Sequence, residues 1–227
     1  MRLLVPLVSM AGVILLIVAV FRARRNEDAT PIVRITLVIS AAWAGIALLW
    51  GIVRAVLWFR PGVGVPFDVR TLPYWPLPAG ADTFPLSGGF TTAQFTAIDV
   101  LSTQVRSVLA AADLVGTLIT VALAGLVAIA CFRFIQGRPF APEVASLSLI
   151  AAVVVLVGGL SGQVLQQYGG TRAMAEIIAA GLGEPGPQAA GLFSIDWWPV
   201  WLAIGLGAFA ALMRYGRTLQ RDTEGLV

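Results

Sequence analysis

Two apolar runs, residues 108–132 and 144–164, stand on either side of the polar hinge Gly137-Arg138-Pro139-Phe140-Ala141-Pro142-Glu143. As a helix rising ~1.5 Å per residue, each run can cross a hydrocarbon core of about 30 Å. Lipid offers the backbone no water to bond, so a spanning run has to be helical and the hinge has to turn the chain at one membrane face. The hinge residues suit that task. Gly137 fits a helix C-cap, Pro139 stops the first helix, and Pro142 fits the first turn of the second, where its missing N–H costs nothing. Glu143 then places a negative charge near the positive end of the second helix.

The rest of the chain is read from this hairpin outwards. With 58% hydrophobic and 12% charged residues and a mean hydropathy of +0.88, the chain has the composition of an integral membrane protein. Residues 1–21 are apolar and run directly into Arg22, Arg24 and Arg25 without the small-residue cleavage site of a secretory signal, so they read as an uncleaved first span. A basic loop at 22–34 leads to a second span at 35–59. The third and fourth flank the hinge, and a fifth starts at Trp197 and continues as a helix through the tail. Between the second and third, residues 60–106 change character to Pro, Gly, Thr and aromatics. There Val63, Val65, Phe67 and Val69 alternate with small or polar residues, and residues 90–100 are rich in Thr and Phe, which predicts two short strands around a Pro-rich turn. Beyond the fourth span, Gln163, Gln166, Gln167 and Tyr168 read as an exit to water, followed by a short interfacial helix at 171–181.

The expected fold is therefore an all-α integral membrane bundle of about five spans with a small extracytoplasmic β-rich lobe. Residues 1–25 form an additional N-terminal span, and 26–227 a four-span domain containing the lobe (60–106) and a cytoplasmic tail (214–227). All fifteen basic residues are Arg, and nine of them cluster in the 22–34 loop, around the hinge and in the tail. The positive-inside rule puts those segments in the cytoplasm and the lobe and N-terminus outside, with Trp197, Trp198 and Trp201 in the outer aromatic belt. The absence of Lys, with Ala, Gly and Val in excess, points to a GC-rich bacterial source and hence to a bacterial plasma membrane.

The segment 134–140, reading Phe-Ile-Gln-Gly-Arg-Pro-Phe, and the tail 215–227, reading Tyr-Gly-Arg-Thr-Leu-Gln-Arg-Asp-Thr-Glu-Gly-Leu-Val, resemble the bacterial family called domain of unknown function 2975. The resemblance covers residues 35–227 and is most specific at the Gly-x-Pro-Phe hinge. It implies a small membrane protein of four spans, to which residues 1–25 are an addition. It implies no activity and carries over no functional residues.

Several chemistries are excluded by composition. The chain has no His and a single cysteine, Cys131, so it can build neither an internal disulfide, a Cys/His metal site nor a His-ligated haem. Ser102, Thr103 and Ser161 have neither His nor Lys to activate them, which removes the Ser/His and Ser/Lys routes and argues against an enzyme. A net charge of +3, scattered along the chain, is too slight for a nucleic-acid surface. No cofactor is expected. Cys131 lies where S-palmitoylation is chemically possible, although a packed, inert side chain is the simpler reading.

Two intramembrane charges stand out, Arg54 and Asp113. Counting from their span ends puts both roughly 8–10 Å below the outer surface, which permits an ion pair. Such a pair is either structural or a proton or ion relay. Asp99, Arg106 and Asp113 recur every seven residues and read as a hydrated helix stripe. Gly158 and Gly162 have the spacing of a close helix contact, read as packing within one chain. The function that fits best is a non-enzymatic regulatory or accessory subunit that binds a protein partner as well as the bilayer. A small transporter or channel using Arg54 and Asp113 is the alternative, although it should show polar residues at mid-membrane and inverted repeats.

Overall fold

The structure is a computed structural model and describes residues 30–74, 90–97, 99–182 and 194–224. Its elements are α1 (Thr30–Leu57), β1 (Val65–Tyr74), β2 (Phe90–Ala97), α2 (Thr103–Ile135), α3 (Pro142–Ala179) and α4 (Trp198–Glu224). Among the described residues, these four helices are long and apolar enough to cross a membrane. The predicted first span and the Pro-rich turn at 75–89 lie outside the described residues.

The chain divides into two compact units. One contains Trp50–Gly116 and Gly158–Trp197, and its core is built around the sheet. β1 and β2 pair antiparallel, with Val65 opposite Ala97 and Phe67 opposite Phe95, and the register shifts between Arg70 and Tyr74. Alternation decides which face is buried: Val65, Phe67 and Val69 point inward, whereas Pro66 and Asp68 are exposed. The inward residues join Trp58, Leu101, Val105, Leu109, Ala110 and Ala173 in one core, and the Phe67 ring lies 6.1 Å from those of both Trp58 and Phe95. A hairpin of this size would be marginal alone in water, so its apolar face needs this helical seat.

Glycines let α3 approach that seat closely. A Cβ at 169 would come within 2.7 Å of Leu109 Cδ2, and one at 170 within 3.4 Å of the Asp68 carbonyl oxygen. These two glycines bear on a correction. The sequence predicts a span ending near residue 164 and a separate short helix at 171–181, but α3 runs unbroken from Pro142 to Ala179, with Gly169 and Gly170 as contact surfaces inside the helix. At ~1.5 Å per residue its 38 residues exceed the hydrocarbon thickness by several turns. Gly181, at φ 72°, ends it: the Gly181 N–H bonds the Ile178 carbonyl at 2.9 Å and the Leu182 N–H the Ile177 carbonyl at 3.2 Å.

Gln163 and Gln167 bond a later stretch of chain. Gln163 donates to the Asp196 carbonyl (3.0 Å) and accepts from the Asp196 N–H (2.7 Å). One turn further on, Gln167 donates to the Ser194 carbonyl (2.6 Å) and accepts from the Ser194 N–H (3.0 Å). Two side-chain amides thus serve an extended segment as a neighbouring strand would. Trp197, Trp198 and Trp201 follow it and are exposed.

The other unit holds the described part of Met1–Leu49 with Thr117–Val157 and Trp198–Val227. Val144, Ser148, Ala151 and Val155 recur at helical spacing as a buried stripe on α3. Ser148 is fully buried, and its hydroxyl donates to the Leu206 carbonyl of α4 at 2.8 Å. α1 begins at Thr30, so the last five residues of the predicted 22–34 loop are helical.

Candidate functional site

α1 and α2 present Arg54 and Asp113 to each other within the first unit. The Arg54 Nε donates to Asp113 Oδ2 at 2.7 Å, and the side chains are 31% and 17% exposed. Trp58, four residues after Arg54 and just beyond the end of α1, donates its indole N–H to the same Oδ2, also at 2.7 Å. A second guanidinium nitrogen of Arg54, Nη2, reaches the Pro66 carbonyl in β1 at 2.8 Å. That carbonyl is well chosen. Proline has no N–H to give a ladder, and in an antiparallel sheet it is tolerated where the backbone polar groups point away from the partner strand. The Pro66 oxygen points to the guanidinium. One arginine thereby fixes α1 to α2 and to the sheet, in a planar fork whose charge-assisted bonds a lysine could not reproduce.

Around this clamp, further polar groups secure the same unit. Ser102 caps α2: its hydroxyl accepts from the Val105 N–H at 3.4 Å, while its own N–H and O–H bond the two carboxylate oxygens of Glu176 at 2.7 and 2.6 Å. Glu176 therefore ties the end of α3 to the start of α2. Asp99 departs from its predicted place on a helix stripe, because α2 begins only at Thr103 and Asp99 has φ 49°. Its carboxylate accepts the Gly62 N–H at 3.2 Å and lies 3.4 Å from the Arg106 guanidinium. The seven-residue recurrence of Asp99, Arg106 and Asp113 thus marks two separate ion pairs and no continuous hydrated stripe.

The remaining sequence-predicted residues fall as follows. Gly162 faces Val115 of α2, with a Cβ there 3.3 Å from Val115 Cγ1, and the half-buried Gly158 lends its carbonyl to the Ser161 hydroxyl at 3.2 Å. Cys131 is half-buried in α2. In the hinge, Gly137 has φ 73°, its N–H bonds the Phe134 carbonyl, and the Arg138 N–H bonds the Arg133 carbonyl, each at 3.0 Å. This pair of bonds is a Schellman cap on α2. Pro142 is the first residue of α3. Phe140 packs edge-on against Gly216 of α4, where any Cβ would overlap the ring. Thus the hinge and α4 touch each other at this point.

Sequence reasoning singled out Arg54 and Asp113 but missed Trp58, the Pro66 carbonyl and Glu176. Trp58 was discoverable, since it lies four residues after Arg54 and an indole N–H below a membrane surface needs an acceptor. No signal pointed to a backbone carbonyl. Among the described residues no group of three or more Cys, Asp or Glu side chains is arranged to hold a metal ion. Comparison of the chain with protein-family models, with curated proteins and with solved structures gives no match.

Proposed function

We infer that this chain is a non-enzymatic, multi-pass membrane protein acting as a regulatory or accessory subunit, and that its sheet is the surface offered to a protein partner. The observation that carries this reading is the clamp. Arg54 binds Asp113 and a strand carbonyl together, and Asp113 also receives Trp58, so these charges hold the hairpin in place. A sheet seated on one face leaves Pro66, Asp68, Gln94 and Thr96 exposed on the other, together with the outer edge of β2, which pairs with no further described strand. The transporter alternative asks the same pair to exchange protons or ions, and the use of Arg54 as a three-way tie gives that reading less support.

In this reading the sheet lies on the extracytoplasmic side of a bacterial plasma membrane, the hinge and tail lie in the cytoplasm, and residues 1–25 add a fifth span to a four-span domain akin to the resembled family. The support is the Arg distribution. Cysteine labelling in a Cys131→Ala background tests the orientation: position 138 should react only after the membrane is permeabilised. Affinity isolation from native membranes tests the partner. A stoichiometric partner should be retained by the wild type and lost on Asp68→Arg with Gln94→Arg. An unchanged association in that variant would remove the sheet as the binding surface, and ion flux into proteoliposomes abolished by Asp113→Asn would favour the alternative.

A further inference from the structure

The cap at the end of α2 sets two arginines side by side. In a Schellman motif the third residue from the helix end and the second residue beyond it come together, and proteins commonly place an apolar contact there. Here those positions are Arg133 and Arg138. From α4, Arg217 and Arg221, one turn apart, line the same cavity, which has a volume of about 370 Å³. Four arginines from three stretches of chain thus line one cavity, and neighbouring like charges repel unless something between them is negative.

Among the described residues Glu143 is the one carboxylate lining this cavity, and it approaches Arg133 at 3.4 Å, while Asp222 lines a neighbouring cavity with Arg214, Arg217 and Arg221. Arg138, Arg217 and Arg221 have no carboxylate within salt-bridge distance among the described residues. Topology alone does not require this convergence, because the positive-inside rule is satisfied by charges anywhere along the cytoplasmic segments. The cavity also lies at the N-terminal end of α3, whose dipole adds positive potential. The Phe140 ring lies against Gly216 of α4 and lines the same cavity.

The geometry points to a binding site for a phosphate group, in which the guanidiniums of Arg138, Arg217 and Arg221 take phosphate oxygens in bidentate fashion and Arg133, balanced by Glu143, lines the wall. Planar forks match phosphate oxygens better than ammonium groups do. The group belongs either to the headgroup of an anionic phospholipid or to a soluble phosphate compound.

The test uses the purified full-length chain in a neutral detergent, at constant ionic strength. Thermal unfolding is followed while dioctanoyl phosphatidylglycerol, and separately inorganic phosphate or pyrophosphate, is titrated in. A ligand of the folded state raises the transition temperature saturably. The expected result is such a rise, with its midpoint moved at least about tenfold to higher concentration, roughly 1.4 kcal/mol, by Arg138→Gln with Arg217→Gln. Arg34→Gln with Arg60→Gln removes the same charge from exposed positions away from Arg217 and Arg221 and should leave the midpoint unchanged. A rise with the lipid alone identifies a headgroup, and one with phosphate or pyrophosphate identifies a soluble anion. Should the glutamine pair fail to fold, Arg138→Lys with Arg217→Lys keeps the charge and should still weaken the midpoint several-fold. The proposal is overturned if no probe gives a saturable rise, or if the control pair shifts the midpoint as far as the cavity pair does.

Discussion

Arginine is used in opposite ways in the two units. Arg54 has its donors committed to an acid and to a strand carbonyl, inside a unit whose helix start, sheet and helix end are tied by Ser102, Glu176 and Asp99. Arg138, Arg217 and Arg221 sit on the other unit, exposed and without a described carboxylate close enough to pair. Removing a charge from the first arrangement strands its partners in a poorly hydrated place, whereas removing one from the second relieves repulsion. The same side chain is therefore a structural part in one unit and an unspent potential in the other.

The sharpest way to break this contrast is Asp113→Asn. It should destabilise the chain in detergent by about 3 kcal/mol, since it leaves a half-buried guanidinium without its counter-charge. Arg54→Met with Asp113→Leu should recover part of the loss. It cannot recover all of it, because the Trp58 N–H still lacks its acceptor, and adding Trp58→Phe should recover more. A loss below about 1 kcal/mol for Asp113→Asn would equate the two kinds of arginine.

Next in size is Gly169→Ala. Overlap with the buried Leu109 side chain should outweigh the better helix propensity of Ala and cost about 1–2 kcal/mol, seen as a lower midpoint of unfolding. In the other unit, Gly216→Ala meets Phe140, a half-buried ring with more room to swing, so a cost nearer 0.5 kcal/mol is expected, at about the scale of a surface change. A larger loss at 216 than at 169 would mean that the hinge is the tighter joint. The smallest effect is expected for Arg217→Gln, within about 0.5 kcal/mol of wild type and on the stabilising side, because it removes one of four neighbouring like charges.

What could be read in advance follows the range of the interaction concerned. The hinge was legible because a glycine cap and a proline at the first helical position act over a few residues, and the cap at Gly137 and the start at Pro142 lie where those rules put them. The strands were legible through the alternation of Val65, Phe67 and Val69, although β2 ends at Ala97, three residues before the predicted limit. Counting put Arg54 and Asp113 at one depth, but the rotation of each helix is a tertiary property, so the bonds to Trp58 and Pro66 could not be counted out. The continuity of α3 past the polar residues 163–168 is tertiary in the same sense: Gly169 and Gly170 lie against Leu109 and the Asp68 carbonyl, contacts that cannot be counted out from the sequence.

The amide pairs at Gln163 and Gln167 bear on how such a chain can vary. They hold Ser194 and Asp196 by backbone groups two residues apart, and so fix which residue stands at the approach to α4 irrespective of the side chains there. Insertions and deletions between Leu182 and Ser194 can then accumulate without moving the point where the next span begins. A single residue inserted between Ser194 and Asp196 is a different event. It turns the following backbone groups away from one glutamine and shifts every later residue by one position relative to the clasp, so tolerance to length changes should stop abruptly at residue 194.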